Sequence, residues 1–207
     1  MTRARDVANR TIVANSVGAT ELDLTDNYAF TGTLTGAGSN IKEQLVMLCD
    51  GNNYTVGSGT YTAANVTAVQ TLDSTSTDVT GSTIAYTPPS GTTMVVYEFI
   101  FAFTFINSIP LVSIRFFIDS DEVTKQRQEL SADAGEWQQS MRYLIPIGGS
   151  ADTATGRLAS WSGAKTLKMQ ARNYGTGNKG NLHQLGYWDA ATSTDFVIPK
   201  LIITSLG

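Results

Sequence analysis

Few residues of this sequence have side chains and spacings that could do chemistry. His183 is the only histidine, and Cys49 is the only cysteine. A Ser-His-Asp system would need His183 beside a serine and an acid, and no G-x-S-x-G nucleophile motif supports one. A zinc site would need more histidine or cysteine ligands than the chain has. We therefore predict a hydrogen-bonded structural role for His183, a small buried apolar role for Cys49, and no catalytic, metal or cofactor site.

Acidic side chains are the alternative source of chemistry. The cluster at residues 119–122 is the best local candidate for calcium, but it lacks the spacing and the glycine of an EF-hand loop. A pair of glycosidase carboxylates could be drawn from a wider set, namely Asp119, Asp121, Glu122, Glu129, Asp133 and Glu136. We interpret this set as solvated residues of loops between strands.

The composition indicates an all-β protein and excludes one class of partner. Charged residues make up 15% of the chain and hydrophobic residues 42%, with a formal charge of −4 and a pI near 4.9. A surface built largely of Thr, Ser, Asn, Gly and Gln suits strands joined by many turns. Binding to phosphates requires a basic face, so we predict no nucleic-acid partner.

The stretch "YEFIFAFTF" at residues 97–105 carries an aromatic ring at every second position. Read with a period of two, the rings share one face of a strand, whereas a helix would scatter them; they are Tyr97, Phe99, Phe101, Phe103 and Phe105. The apolar run ends in "NSIP" at residues 107–110 and is too short to span a membrane. The rings either pack on the other sheet of a sandwich or fill the axis of an oligomer. Because the opposite face, with Ile100 and Ala102, is also apolar, we predict burial on both sides and a homotrimer.

The chain changes character near residue 90. Residues 1–40 are poor in bulky apolar side chains and predict an extended anchoring arm. Residues 41–90 hold short strands that either form their own region or belong to the following domain. Residues 91–207 hold long alternating strands separated by polar turns, which predict a β-sandwich of jelly-roll type. We expect residues 97–105 and 111–119 to form a hairpin. We also expect either a helical turn within residues 121–133 or a strand through residues 122–128.

Two groups of residues are candidates for binding partners. Arg3, Arg5 and Arg10, with Asp6 among them, give the arm a local excess of positive charge that suits docking onto carboxylates of a neighbouring protein. A solvated chain terminus is the alternative interpretation. Exposed aromatic side chains could stack on sugars, and the candidates facing a receptor are Tyr174, Tyr187 and Trp188. Packing in the core or an interface is the alternative for them.

Several segments resemble the structural proteins of marine tailed bacteriophages. The segment "AFTGTLTG" at residues 29–36 is similar to the "TFTGT" segments of phage tail-fibre proteins, and the first residues, "TRARDVA", look like the start of such structural proteins. The second half is similar to their C-terminal domain at "YTPPSGTTMVVYEFIF", "FFIDSDEVTKQRQE", "GGSADTATGRLASW" and "WDAATSTDFVIPKLIITSLG". The segment "IDSDEV" departs from the family's "IDG-EV".

This resemblance implies a virion protein without enzymatic activity, trimeric in many relatives. We expect a fibre or spike whose arm binds other virion proteins of the tail, an adaptor or the capsid, and whose sandwich faces the host and its surface glycans. One alternative is a capsid decoration protein that stabilises the head shell. Another is a protein that binds or depolymerises host polysaccharide.

Overall fold

The computed structural model describes residues 40–107, 111–131, 136–175, 179–185 and 195–207. Within these ranges the regular elements are β-strands and one short 3-10 helix, Thr124–Gln126. The strands are β1 (Ile41–Leu48), β2 (Asn53–Val56), β3 (Gly59–Thr62), β4 (Gln70–Thr71), β5 (Thr77–Asp78), β6 (Ile84–Tyr86), β7 (Met94–Asn107), β8 (Leu111–Ile118), β9 (Asp121–Glu122), β10 (Gln128–Ser131), β11 (Glu136–Pro146), β12 (Lys165–Asn173), β13 (Lys179–Leu182), β14 (Gln184–Leu185), β15 (Asp195–Phe196) and β16 (Lys200–Leu206).

The first sheet is built around β7, the longest strand. Its 14 residues span about 46 Å at roughly 3.3 Å per residue. Along one edge β7 pairs with β11, and along the other it pairs first with β16 and then with β13. β1 and β4 complete the sheet by pairing with β16 and β13. All of these pairings are antiparallel.

The second sheet is built around β8 and β12. These two strands pair antiparallel from Leu167 opposite Ile118 to Asn173 opposite Val112. β9 and β10 pair with the free edge of β8, and β5 and β6 pair with the free edge of β12. Alternating burial along β8 and β12 turns one face of the sheet inward and leaves the other face partly exposed to solvent.

The core lies between the two sheets. Tyr97 on β7 packs against Phe116 on β8, with ring centroids 5.0 Å apart. Phe116 also stacks on Tyr143 of β11 at 4.4 Å, with ring planes 8° apart. Aliphatic and sulfur side chains of β8, β11 and β12 fill the remaining space. Rings from both sheets therefore interdigitate as in a β-sandwich, and the predicted all-β sandwich is confirmed.

The predicted hairpin between residues 97–105 and 111–119 is wrong. β7 and β8 lie in different sheets and face each other across the core instead of pairing. Both strands carry large apolar side chains at alternate positions, and those faces lose the most contact with water when they pack onto each other.

Of the two alternatives for residues 121–133, the structure shows the helical turn, and the continuous strand predicted through residues 122–128 is wrong. β9 precedes the 3-10 turn Thr124–Gln126, and β10 follows it. Gln126 fixes this turn because its side-chain amide donates to the carbonyls of Leu144 and Thr155, at 2.7 and 2.8 Å. The segment thereby ties the edge of the second sheet to β11 of the first.

Strands from residues 41–90 contribute to the same two sheets as strands from residues 91–207. β1 and β4 belong to the first sheet, and β5 and β6 belong to the second. Residues 39–207 form one compact unit. Of the two alternatives for residues 41–90, the structure therefore shows strands built into the sandwich. The arm predicted for residues 1–40 lies outside the described residues except for Asn40.

The sandwich has two distinct ends. The amide of Gly207 donates to the carbonyl of Asn40 at 2.9 Å, so the chain enters the sandwich beside its C-terminus. We call this the proximal end; Met94, paired with Leu206, also lies there. β7 runs from it to Asn107, and β8 starts from Leu111 at the opposite, distal end.

Candidate functional site

His183 is buried at a bend between β13 and β14. Its Nε2 lies 2.9 Å from Oγ1 of Thr80, and that hydroxyl donates to Oε1 of Gln70 at 3.0 Å. Because the Thr80 hydroxyl has a single hydrogen, its oxygen accepts from Nε2–H of the imidazole. The ring stands edge-on to Phe99 and Phe101, with centroids 6.2 and 6.3 Å away.

Burial lowers the pKa of His183 from 6.5 to about 4, because the charged imidazolium loses its hydration among the core rings. The side chain is therefore neutral at pH 7. Nδ1 is buried and has no hydrogen-bond partner among the described residues, so no acid orients the ring there. His183 is thus buried and hydrogen-bonded, and its structural role stays a prediction.

The acidic cluster at residues 119–122 forms ion pairs. Asp119 accepts from Nζ of Lys165 at 3.0 Å and from the amide of Thr166 at 2.8 Å. Glu122 pairs with Arg127 at 2.5 Å and with Arg115 at 3.8 Å. Hydrogen bonding to Arg127 holds the pKa of Glu122 below its usual range. The carboxylates of Asp119 and Glu122 are thus turned toward cations, and no group of three or more metal-ligating side chains lies together among the described residues.

The carboxylates considered for a glycosidase pair are spread over the second sheet and beyond it. Glu129 lies on β10, three residues after the 3-10 turn. Asp133 and the side chain of Glu136 lie outside the described residues.

A buried polar network at the proximal end was not anticipated from the sequence. Glu43 on β1 accepts from the hydroxyl of Tyr86 at 2.9 Å and from the hydroxyl and amide of Ser58 at 2.6 and 2.7 Å. The hydroxyl of Tyr86 also lies 2.8 Å from Oγ of Ser205 on β16. Desolvation by burial raises the pKa of Tyr86. The alternation that places Glu43 on the same face as Leu45 and Met47 is the signal that could have identified it.

This network holds the N-terminal strand in place. Three donors satisfy the oxygens of this buried carboxylate. The donors come from β6 and from the turn between β2 and β3, so β1 is tied to both. The arrangement fixes the point at which the chain enters the sandwich.

The predicted aromatic face divides into described and undescribed parts. The side chains of Tyr97, Phe99, Phe101 and Phe103 are buried in the core of one chain, while the side chain of Phe105 lies outside the described residues. Of the two placements predicted for these rings, the structure shows packing between the sheets for the four described ones. They therefore do not form the shared centre of an oligomer, and the trimer stays a prediction.

The opposite side of β7 contributes to an exposed apolar surface. The register aligns Val46 with Ile202, and places Val96 beside Leu144. Exposed fractions are 52% for Val46, 44% for Leu144 and 36% for Leu48. We call this surface the β7 outer face and define it by its aliphatic members, Val46, Leu48, Val96, Ile100, Leu144 and Ile202.

Polar groups on the β7 outer face are paired with each other. Glu98 accepts from Oγ of Ser140 at 2.5 Å and from Nη2 of Arg142 at 3.0 Å. These hydrogen bonds, with that of Ser140 the larger cause, keep the pKa of Glu98 below its usual range. Gln44 donates to the hydroxyl of Thr204 at 3.2 Å. These pairs leave fewer polar groups of the face to be desolvated without a partner, while Lys200, paired across the sheet with Leu48 and Ile100, is exposed on the same face.

The aromatic candidates for receptor contact are described only at Tyr174. Its side chain is 72% exposed at the distal end, and its amide donates to the carbonyl of Leu111 at 2.7 Å. Tyr187 and Trp188 lie outside the described residues. So do the predicted docking residues of the arm, Arg3, Arg5, Asp6 and Arg10.

The likeness found between this chain and known proteins is structural and weak. No protein-family model and no curated protein sequence matches the chain. A solved chain titled "Structure of infectious bursal disease virus Gx strain" is similar at a TM-score of 0.37 and 10% identity, over 81% of this chain and 33% of that one. This chain thus spans about a third of the length of that neighbour. In the described part of the chain, no helix is long and apolar enough to cross a membrane.

Proposed function

We propose that this chain is a non-enzymatic structural protein of a phage virion, a trimeric fibre or spike that is anchored by residues 1–40 and projects its β-sandwich toward the host. The sequence segments that resemble phage structural proteins motivate the proposal. The structural observation that carries it is that the two ends of the sandwich differ. The chain enters at the proximal end, where Gly207 bonds Asn40, and Tyr174 is exposed at the distal end.

The difference between the two ends suits attachment to the particle at the proximal end and recognition of the host at the distal end. β7 spans the distance between the two ends with its 14 residues, about 46 Å. An arm bound to the particle at the proximal end would hold the distal end away from the particle surface. The hydrogen-bond network around Glu43 and Tyr86 holds β1, the strand that follows the arm. A force on the arm would therefore be transmitted to the first sheet.

Trimer formation is proposed to occur through the β7 outer face. The face is four strands wide and seven residues long on β7, which corresponds to about 19 Å by 23 Å, or on the order of 400 Å². The aliphatic members lie among polar side chains such as Glu98, Arg142 and Lys200, and a mixture of apolar and polar groups is common at protein–protein interfaces. A threefold axis parallel to the strands would bring three such faces together and leave all three arms at the same end.

Light scattering of the purified full-length protein tests the trimer. We expect three times the chain mass of 22.2 kDa at micromolar concentration. Leu144→Lys together with Val46→Lys should shift the mass to that of one chain, because two charges would be buried without partners. Leu111→Lys is the matched control, since it changes a similarly exposed residue, 39% exposed, on the second sheet. A monomeric wild-type protein would refute the trimer.

Quantitative mass spectrometry of purified virions tests the place in the particle. A fibre or spike is expected at a few trimers per particle. A decoration protein would be present at many copies, in proportion to the major shell protein, and that result would replace the fibre proposal with the capsid one. Absence from purified virions would refute both. Incubation of the protein with host polysaccharide tests the depolymerase alternative, because a depolymerase would shorten the polysaccharide chains.

A further inference from the structure

The outer face of the second sheet contains a small pocket at its distal end. The pocket has a volume of about 270 Å³ and is bordered by Leu111, Ser113, Glu129, Arg172 and Tyr174. All of these residues lie on β8, β10 and β12 or directly after β12. Sites for small ligands are concave and combine apolar walls with a few polar groups. A volume below the usual range of drug-sized pockets suits one compact ring.

The strand register sets the positions of the polar groups. Ser113 pairs with Glu129 on one side and with Arg172 on the other, so the three residues form one row across three strands. The outer strands of the row are two strand spacings apart, about 10 Å. A carboxylate and a guanidinium therefore flank a hydroxyl, with room for a pyranose ring between them.

These polar groups are available to a ligand. No salt bridge and no side-chain hydrogen bond among the described residues includes Glu129 or Arg172. By contrast, Arg115 and Lys168, on the same face of the same sheet, each have a carboxylate partner. Glu129 and Arg172 therefore bring two opposite charges to the pocket that no other described side chain uses.

The apolar wall completes a surface for a sugar. Tyr174 is 72% exposed and Leu111 39% exposed, and they adjoin each other where the amide of Tyr174 bonds the carbonyl of Leu111. An exposed tyrosine ring offers a flat apolar face on which the C–H face of a pyranose can stack. The hydroxyls of that sugar can donate to Glu129 and accept from Arg172 in charge-assisted hydrogen bonds.

We infer that this pocket, the Tyr174 pocket, binds a neutral pyranose unit of a host surface glycan. The opposite charges of Arg172 and Glu129 indicate that the sugar is neutral. An anionic sugar or a phosphate would be attracted by Arg172 but repelled by Glu129, whereas a neutral polyol satisfies both. The inference rests on the proposed function in one respect, since the distal end would be the part of the fibre that meets the host.

Saturation-transfer-difference NMR of the full-length protein tests the inference. The probes are neutral methyl glycosides of glucose, galactose, mannose and N-acetylglucosamine, with methyl glucuronide as the anionic comparison. We expect transfer to at least one neutral glycoside and none to the glucuronide. Tyr174→Ala should weaken binding of the responding glycoside at least tenfold, and Arg172→Gln and Glu129→Gln should each weaken it several-fold.

Control variants separate the pocket from the rest of the surface. Arg157→Gln changes the same residue type near the proximal end, where the guanidinium donates to the carbonyl of Gly148 at 3.1 Å, and it should leave binding unchanged. Circular dichroism melts establish that each variant is folded. The inference is supported if Tyr174→Ala loses binding of the neutral glycoside while Arg157→Gln retains it.

Other outcomes overturn it. No transfer to any neutral glycoside, or equal binding by wild type and Tyr174→Ala, would refute the site. Binding of the glucuronide that strengthens in Glu129→Gln would refute the neutral class. Incorporation of Tyr174→Ala into virions at the wild-type level would leave the structural role standing even where sugar binding fails, so the two proposals are tested separately.

Discussion

Acid sensitivity should arise from His183, the single histidine of the chain. In the folded protein its pKa is lowered from 6.5 to about 4, because the imidazole is buried against Phe99 and Phe101. Between these two values the unfolded chain binds a proton that the folded chain does not. The free energy of unfolding therefore falls as the pH drops from 6.5 toward 4.

The magnitude follows from the two pKa values. Between pH 7.5 and pH 5 the loss is about 2 kcal/mol, and it approaches about 3 kcal/mol at pH 4. His183→Gln removes the titration but keeps a side-chain amide that can donate to Thr80. That variant should be less stable at pH 7.5 by about 1–3 kcal/mol, since it loses the ring contacts. Its stability should change little between pH 7.5 and 5.

Urea unfolding at a series of pH values measures both proteins. Surface carboxylates with lowered pKa values, such as Glu98 and Glu122, lose their stabilising contribution mainly below pH 4.5, and they are common to both proteins. The difference between wild type and His183→Gln isolates the histidine. An NMR titration of the single imidazole gives its pKa directly. A pKa near 6.5 in the folded state, or parallel pH profiles for the two proteins, would refute the reasoning. Virion incorporation and host binding should be unchanged in His183→Gln, and a complete loss in a folded, assembled variant would point to catalysis instead.

Further predictions concern packing, reactivity and the arm. Gly81→Ala should destabilise the fold by about 2–4 kcal/mol in urea unfolding, because φ is +87° and a Cβ atom would lie 2.9 Å from Cγ2 of Val66. The control Gly163→Ala, with φ +72° and open space around it, should lower the free energy of unfolding by only about 1 kcal/mol. Equal losses in the two variants would contradict the packing argument. Burial raises the pKa of the Cys49 thiol to about 12. Ellman's reagent at pH 8 should therefore label this thiol only after the protein unfolds. Rapid labelling of the native protein would show that the thiol is accessible. Deletion of residues 1–30 should leave a soluble trimer with a nearly unchanged melting temperature that fails to join particles; assembly at the wild-type copy number would place the attachment surface in the sandwich.

Local alternation was enough to predict most strands from the sequence. The period of two at residues 97–103 and 112–118 turns alternate side chains inward in the structure, because a strand turns successive side chains to opposite faces whatever it packs against. The structural role of His183 was inferred from the sequence because a single histidine has few catalytic uses, and that role stays a prediction. Glu43 could have been found in the same way, because it shares the inward face of β1 with Leu45.

Only the tertiary structure decided which strand lies beside which. Alternation fixes the face of a side chain but carries no information on whether the next strand along the chain pairs beside it or packs across the core. β7 and β8 are consecutive in the chain, yet they lie in opposite sheets. The Tyr174 pocket depends on the same kind of information, because Glu129, Ser113 and Arg172 are aligned by strand pairing and are distant in sequence. The sequence by itself determined the class of fold and the buried faces, while the pairing of strands determined the two surfaces on which the proposed functions rest.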